Sequence, residues 1–293
     1  MSRVYYSWSA GLILILLLFC SNDICGKNRD LIQLQKPSKA EYDILKNRHL
    51  IKHAKQRRLD PSDIKQNFDV ESPLSLKYGK ILLNDMTYVL GAPLRWEKND
   101  WRSFIIKSLI VKNTMTFLDL SARDIAEDNR NKFTNGIGNT FNRFGSGYST
   151  NVRTAFFIHG YLFGNKTSKM VALDMLSATF ITNAIITPGL KNLFGRTRPY
   201  REMGEDDFHP FSGNESFPSG HAIRAFVNAS VIASHYKQTW VKVLAYSIAS
   251  LVAYARMNRD VHFLSDVVAG AFIGIAIGQG TVKLNKKLRS GLN

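Results

Sequence analysis

Cysteine is nearly absent from this chain of 293 residues, which carries only Cys20 and Cys25. A disulfide-stapled scaffold is therefore excluded. Acidic residues are scarce beside basic ones, Asp+Glu 23 against Lys+Arg 39, and the formal net charge is +16. That imbalance implies anionic company: a phosphorylated substrate, an anionic membrane surface or nucleic acid. Runs that alternate apolar and polar residues are missing, so nothing points to a β-sheet. The mean hydropathy is slightly negative, which argues against a highly polytopic carrier. What the chain does have is 45% hydrophobic and 11% aromatic content. That is too much for a disordered chain and enough for a core of two hundred-odd residues.

The first 26 residues read as a targeting segment. Arg3 precedes an uninterrupted apolar run from Gly11 to Phe19, closed by Ser21, Asn22 and Asp23. This is the pattern of a secretory signal peptide. Cleavage after Gly26 would remove both cysteines; an uncleaved anchor over Val4–Cys20 and a lipoprotein lipidated at Cys20 are the alternatives. Residues 27–75 form a basic extension, in which Lys27, Arg29, Lys36, Lys39, Lys46, Arg48, Lys52, Lys55, Arg57 and Arg58 face few acids. Near an anionic surface each such residue is worth about 1 kcal/mol. No recognition motif accompanies the charge, so nucleic acid is not expected as a partner. The expected organisation is a compact domain over 76–285 and a basic tail over 286–293, in an exported, extracytoplasmic or periplasmic protein.

Apolar residues recur at helical spacing over 103–118, 168–190, 220–236, 240–256 and 262–284, interleaved with small residues. The expected fold class is all-α. Lys169, Asp174 and Asn183 would be costly against lipid, and only Val267–Val282 is free of charge. A soluble or peripherally membrane-bound domain is therefore the expectation.

Three segments carry chemistry. Lys191 and Arg198 sit near the end of the 168–190 helix, with Pro199 expected to stop it. Seven residues are about two turns, so both cations can face one side and hold an oxyanion. Pro218-Ser219-Gly220-His221 opens the next helix, with Ser219 as expected N-cap and Gly220 leaving backbone N–H groups approachable. His262 and Asp266 are four apart, so on a helix the carboxylate could hold the imidazole, with Arg256 six residues earlier. Taken singly, each segment is more often a helix-end partner, a cap or surface decoration. His49, His53, His159, His209 and His235 lack such neighbours and are assigned to surface or core.

Together the three segments resemble the signature of the type 2 phosphatidic acid phosphatase superfamily, which includes class A acid phosphatases and vanadium haloperoxidases. The family pattern is Lys, six residues, Arg-Pro; Pro-Ser-Gly-His; then Ser-Arg, five residues, His, three residues, Asp. Here it is met by Lys191, Arg198 and Pro199; Pro218 to His221; Arg256, His262 and Asp266, with Ala255 in place of the serine. The resemblance implies an all-α helical bundle of that phosphatase type. It also implies that His262 is the nucleophile, Asp266 its orienting acid and His221 the general acid. Lys191, Arg198, Ser219, Gly220 and Arg256 would hold the phosphate, with no metal and no other cofactor. The implied substrate is a phosphorylated lipid (phosphatidic acid, phosphatidylglycerophosphate, an isoprenyl diphosphate or lipid A) or a small phosphate ester. A broad acid phosphatase and a vanadate-binding haloperoxidase are the competing readings. The long connection from Tyr200 to Phe217 must border the site, and its Phe208, Pro210, Phe211 and Phe217 are expected to line a lipid entrance.

Overall fold

A computed structural model describes residues 76–290. The signal segment, both cysteines, the extension over 27–75, His49 and His53 lie outside the described residues. Residues 82–286 belong to one compact unit, to which the following applies; 76–81 and 287–290 group with a second. The described residues are helical, with one isolated bridge between Arg196 and Phe208 and no strand. The helices are α1 (Leu76–Leu90), α2 (Lys98–Phe117), α3 (Asp119–Asp128), α4 (Lys132–Asn142) and α5 (Gly147–Leu162). After them come α6 (Lys166–Ile181), α7 (Thr187–Phe194), α8 (Gly220–His235), α9 (Thr239–Asn258) and α10 (Leu264–Ser290).

Local chemistry explains several boundaries. Glu97 and Asp100 form a capping box at the start of α2. Trp96, just outside it, stacks edge-on against Trp101 with ring centroids 4.7 Å apart, a hydrophobic staple. Asn131 caps α4 by accepting from the N–H groups of Phe133 and Thr134. The helix expected over 168–190 runs without a break from 166 to 194, but through a π-turn at Thr182–Ile186. Pro188 explains the widening: it has no N–H to offer the preceding turn, and its ring crowds the carbonyl four residues back.

That helix does not end at Pro199. Gly195 closes it in the left-handed conformation, φ +56°, its N–H bonded to the Lys191 carbonyl. A Cβ at Gly195 would overlap the carbonyl of His209, so only glycine fits. Arg196 to Arg198 are therefore not helical, and Arg198 reaches the site from extended backbone.

The core joins α6, α7, α8 and α10 through Val171, Met175, Ile181, Leu190, Ile223, Val227, Ile273 and Ile277. A second cluster packs α9 onto α8 through Ala245, Ala249, Val252, Ala222 and Ala225. Gly270 and Gly274 let α10 lie against α8: a Cβ on Gly274 would come within 2.5 Å of the Ile223 carbonyl, and one on Gly270 within 2.9 Å of Ser219's. This close approach places the start of α8 beside the start of α10, and so His221 near His262.

Two helices, over Lys166–Phe194 and Leu264–Lys287, are long and apolar enough to cross a membrane, and more than half of the apolar window in each is buried within the protein. Helix α10 continues to Ser290.

Candidate active site

The expected residues converge at one end of α7, α8, α9 and α10. Helix α7 presents Lys191, whose Cε lies 3.9 Å from the position of a Cβ on Gly220. The Ser219 N–H donates to the Asp266 carbonyl at 3.0 Å, tying the entry of α8 to the first turn of α10. Ser219 occupies the N-cap position, but its hydroxyl makes no capping bond. Its buried Oγ has no partner, and neither does the buried Nε of Arg256.

His262 and Asp266 pair, but not on one helix face. Helix α10 begins at Leu264, so His262 lies in the turn before it. His262 Nδ1 stands 3.5 Å from Asp266 Oδ2, an electrostatic contact longer than a good hydrogen bond. The same Oδ2 accepts from the Phe263 N–H at 2.9 Å and from the Ser216 hydroxyl at 2.6 Å. Both side chains are buried. Burial pushes the Asp266 carboxyl up, but the Arg196 guanidinium and the contacts with His262 and Ser216 outweigh it and hold the pKa at about 2. Burial lowers the His262 imidazole to about 4 against the opposing pull of Asp266. At neutral pH His262 is therefore an uncharged imidazole backed by a carboxylate.

His221 is lowered further, to about 2, by burial and then by the charges of Arg256, Arg224, His262 and Lys191. Arg256 is held at about 10 by burial and by Arg259, Arg198 and Arg224, and one Nη donates to Asn142. Burial also lowers Lys191. The cations around these two neutral imidazoles set up a local field that favours an anion. One anionic oxygen is already there: Glu215 Oε2 lies 3.7 Å from Lys191 Nζ and 3.5 Å from Arg198 Nη2. Lys191 Nζ also donates to the Glu215 carbonyl at 2.5 Å. Glu215 Oε2 thus bridges Lys191 and Arg198.

The sequence reading missed a buried clamp behind His262. Arg196 is fully buried and donates through Nη1 to Asp266 Oδ1 at 2.6 Å and Ser265 Oγ at 2.7 Å. Its Nη2 reaches Asp119 Oδ2 at 2.8 Å, and its Nε the Glu205 carbonyl at 3.0 Å. Its guanidinium carbon lies 4.1 Å from the Phe263 ring centroid. Asp119 closes the loop by accepting from Ser265 N–H and Oγ, at 2.8 and 2.6 Å. One guanidinium between two carboxylates leaves a negative charge in excess, and burial pushes Asp119 up. Asp119 sits at the start of α3, as does Arg123, whose fork grips both oxygens of Asp260 at 2.8 Å. Helix α3 thus anchors the turn before His262. Its sequence, Asp119-Leu-Ser-Ala-Arg-Asp-Ile-Ala-Glu-Asp128, has no apolar stripe to announce it.

The 200–217 connection is fastened along its length. Thr197 N–H donates to Asp207, His209 N–H to Gly195, Phe211 N–H to Asn192 and Ser216 N–H to Arg196. Phe217 is buried, with its ring centroid 5.0 Å from that of Phe194, and Phe208 packs on the same core. Phe217 therefore lines no entrance; Phe208 is half-buried, and Pro210 and Phe211 are exposed. His235 has a carboxylate after all, Asp174 at 2.8 Å in the core, and His159 bonds Ser168. Among the described residues no group of three His, Cys, Asp or Glu is placed to hold a metal ion.

Two imidazoles, His221 and His262, thus stand among the cationic side chains of Lys191, Arg198 and Arg256 in an all-helical domain. Residues 171–290 match the family model of the PAP2 superfamily. Lipid A 1-phosphatase of Porphyromonas gingivalis is 31% identical over 38% of this chain and 23% of its own length. Lipid A 4'-phosphatase of the same organism is 24% identical, over 44% and 58%. Phosphatidylglycerophosphatase B of Bacillus subtilis is 31% identical, over 35% and 53%. The chain thus spans between about a quarter and three fifths of these curated relatives. Among solved structures, LpxE of Aquifex aeolicus is 28% identical over 57% of this chain and 95% of its own, with a TM-score of 0.44. A transmembrane PAP2-type phosphatidylglycerolphosphate phosphatase from Bacillus subtilis is 18% identical over 63% and 94%, also at 0.44.

Proposed function

We propose that this protein is a phosphatase that removes a phosphoryl group from a lipid phosphate by way of a phosphohistidine, on the extracytoplasmic side, without a metal. The observation that carries the reading is a neutral, carboxylate-backed His262 beside a cationic cradle in which the Glu215 carboxylate already occupies an oxygen position. The Nε2 lone pair of His262 attacks phosphorus while Asp266 stabilises the charge that grows on the ring. The bond to the ester oxygen breaks, that oxygen keeps the electron pair, and His221 supplies its proton. Water, deprotonated by His221, then cleaves the P–N bond and releases phosphate. Lys191, Arg198, Arg256, Ser219 and the Gly220 N–H hold the non-bridging oxygens throughout.

The pKa of His221 fits this sequence of events. Burial first, and then the neighbouring cations, keeps it neutral; a phosphate dianion beside Arg256 and Lys191 offsets those charges and raises it. The acid is then loaded only when substrate is present. The lipid assignment rests on the named activities of the relatives and on exposed apolar side chains, such as Ile105, Ile106, Leu109 and Ile110 on α2, which suit a membrane surface. Export rests on the apolar run at 11–19. Phosphate release in EDTA from a long-chain lipid phosphate and from phenyl phosphate tests the reading, with His262→Ala alongside. Lipid-preferring release that disappears in the variant is expected. Equal turnover of both would point to a broad acid phosphatase, and activity surviving His262→Ala would overturn the mechanism.

A further inference from the structure

Residues well before the 171–290 segment also touch the site. Helix α4 carries Asn135, Gly138 and Asn142 at spacings of three and four, on one face. That face lies along the last turn of α9. Asn135 Oδ1 accepts from Asn258 Nδ2 at 2.9 Å. Gly138 leaves room for the same amide, since a Cβ there would stand 3.1 Å from Asn258 Nδ2. Asn142 Oδ1, at the end of α4, accepts from Arg256 Nη1.

Three residues on, the turn between α4 and α5 closes over His221. A Cβ at Gly145 would come within 2.8 Å of His221 Cδ2 and 2.9 Å of His221 Cβ, so the turn meets the imidazole this closely only because residue 145 is a glycine. Gly145 itself is buried. Ser149, in the first turn of α5, then accepts from Asn228 Nδ2 on α8 at 2.8 Å. The stretch from 135 to 149 is thus fastened to α9 at one end and to α8 at the other, and between the two it touches Arg256 and His221.

The chemistry of residue 142 matters. The charged neighbours that act on Arg256 are Arg259, Arg198 and Arg224, all cations. Among the described residues, the side chain that holds its guanidinium is the Asn142 amide. A carboxylate there would hold it as well, but would also offset its charge. An amide oxygen orients the fork and leaves the charge for an anion.

Resting on the phosphatase reading above, we propose that Asn142 and Gly145 are positioning residues of the active site. The Asn142 amide aims Arg256 at the phosphoryl oxygens without neutralising it, and the Gly145 turn sets the His221 ring against the departing oxygen.

Three variants of the full chain test this. Inorganic phosphate binding is read by calorimetry, kcat and KM on a long-chain lipid phosphate, and melting temperature alongside. Asn142→Leu is expected to weaken phosphate binding about three- to tenfold, and the effect should vanish in an Arg256→Ala background, because Asn142 acts through that guanidinium. Asn142→Asp keeps the acceptor and adds a charge, so phosphate binding should weaken about tenfold with no fall in melting temperature; a merely structural amide would leave it unchanged. If Asn142→Leu does not fold, Asn142→Asp decides. Gly145→Ala should lower kcat about tenfold while phosphate binding moves less than about threefold. Wild-type phosphate affinity in Asn142→Asp, or an Asn142→Leu loss undiminished without Arg256, overturns the role of Asn142. An unchanged kcat in Gly145→Ala overturns that of Gly145. In these cases the intact chain still binds phosphate and hydrolyses the lipid, and the phosphatase reading stands. An intact chain that neither binds phosphate nor releases it overturns that reading and both positioning roles with it.

Discussion

Replacing Arg196 by lysine keeps one positive charge in the core but removes the fork that joins Asp119, Asp266 and Ser265. A lysine ammonium cannot meet both carboxylates and the Glu205 carbonyl in that planar geometry. Asp266 then loses a charge-assisted bond of 2.6 Å. Such a bond is worth about 1.5–3 kcal/mol. If the loss is felt fully as charge develops on His262, kcat falls about 10- to 150-fold. Arg196 has no exposed surface and cannot touch substrate, so KM should move less than about threefold. The same 1.5–3 kcal/mol should lower Tm by roughly 3–12 °C for a domain of this size. Stopped-flow phosphate release with thermal denaturation of the same preparations measures both quantities. A variant with reduced Tm and unchanged kcat would refute the reasoning, because Arg196 would then be a structural ion pair alone. Arg196→Ala is the less informative change: leaving two buried carboxylates unpaired costs about 3–5 kcal/mol, a large share of total stability.

Three further outcomes are expected. The kcat/KM of the free enzyme should fall with unit slope as pH drops below about 4, where His262 takes up a proton and loses its lone pair; Asp266→Asn should move that limb to lower pH. Stability follows the same group: with His262 near 4 folded and about 6.5 unfolded, the unfolded chain binds the proton first. Stability is therefore lost as pH falls from about 6.5 to 4, at about 1.4 kcal/mol per unit, and urea titrations of His262→Ala should show a flatter dependence. Glu215→Gln removes the carboxylate from the Lys191–Arg198 fork and should tighten inhibition by inorganic phosphate roughly 1.4- to 5-fold, as for a partly exposed ion pair; weaker inhibition would show that Glu215 helps to hold the anion. Gly274→Ala places a Cβ against the Ile223 backbone and should destabilise by about 1–3 kcal/mol, with loss of activity as α8 and α10 are forced apart; a wild-type melting curve would discount the close approach.

The helices that build most of the core could be read from the chain because their apolar residues recur with the helical period, and the described helices begin and end within a few residues of the patterns over 168–190, 220–236 and 240–256. Lys191, Arg198, Ser219, His221, Arg256, His262 and Asp266 could be picked out as candidates because polar side chains at fixed local spacings survive any rearrangement of the helices, and the fold brings them to one end of α7, α8, α9 and α10. Two local inferences failed for one reason. Periodicity cannot see Gly195 adopting a left-handed turn, so Arg198 was placed on a helix it does not occupy; nor can it see α10 beginning at Leu264, so His262 and Asp266 were placed on one face. The clamp around Arg196 was beyond reach, because Asp119 is 77 positions away in a polar helix and nothing local pairs them. The same holds for His235 with Asp174, 61 positions apart. The sequence by itself determined that the chain is helical and which short segments hold its candidate reactive groups. Only the tertiary structure decided which carboxylates share Arg196 and that Glu215 pairs with both Lys191 and Arg198, because ion pairing over long sequence separation is set by packing and leaves no periodic trace.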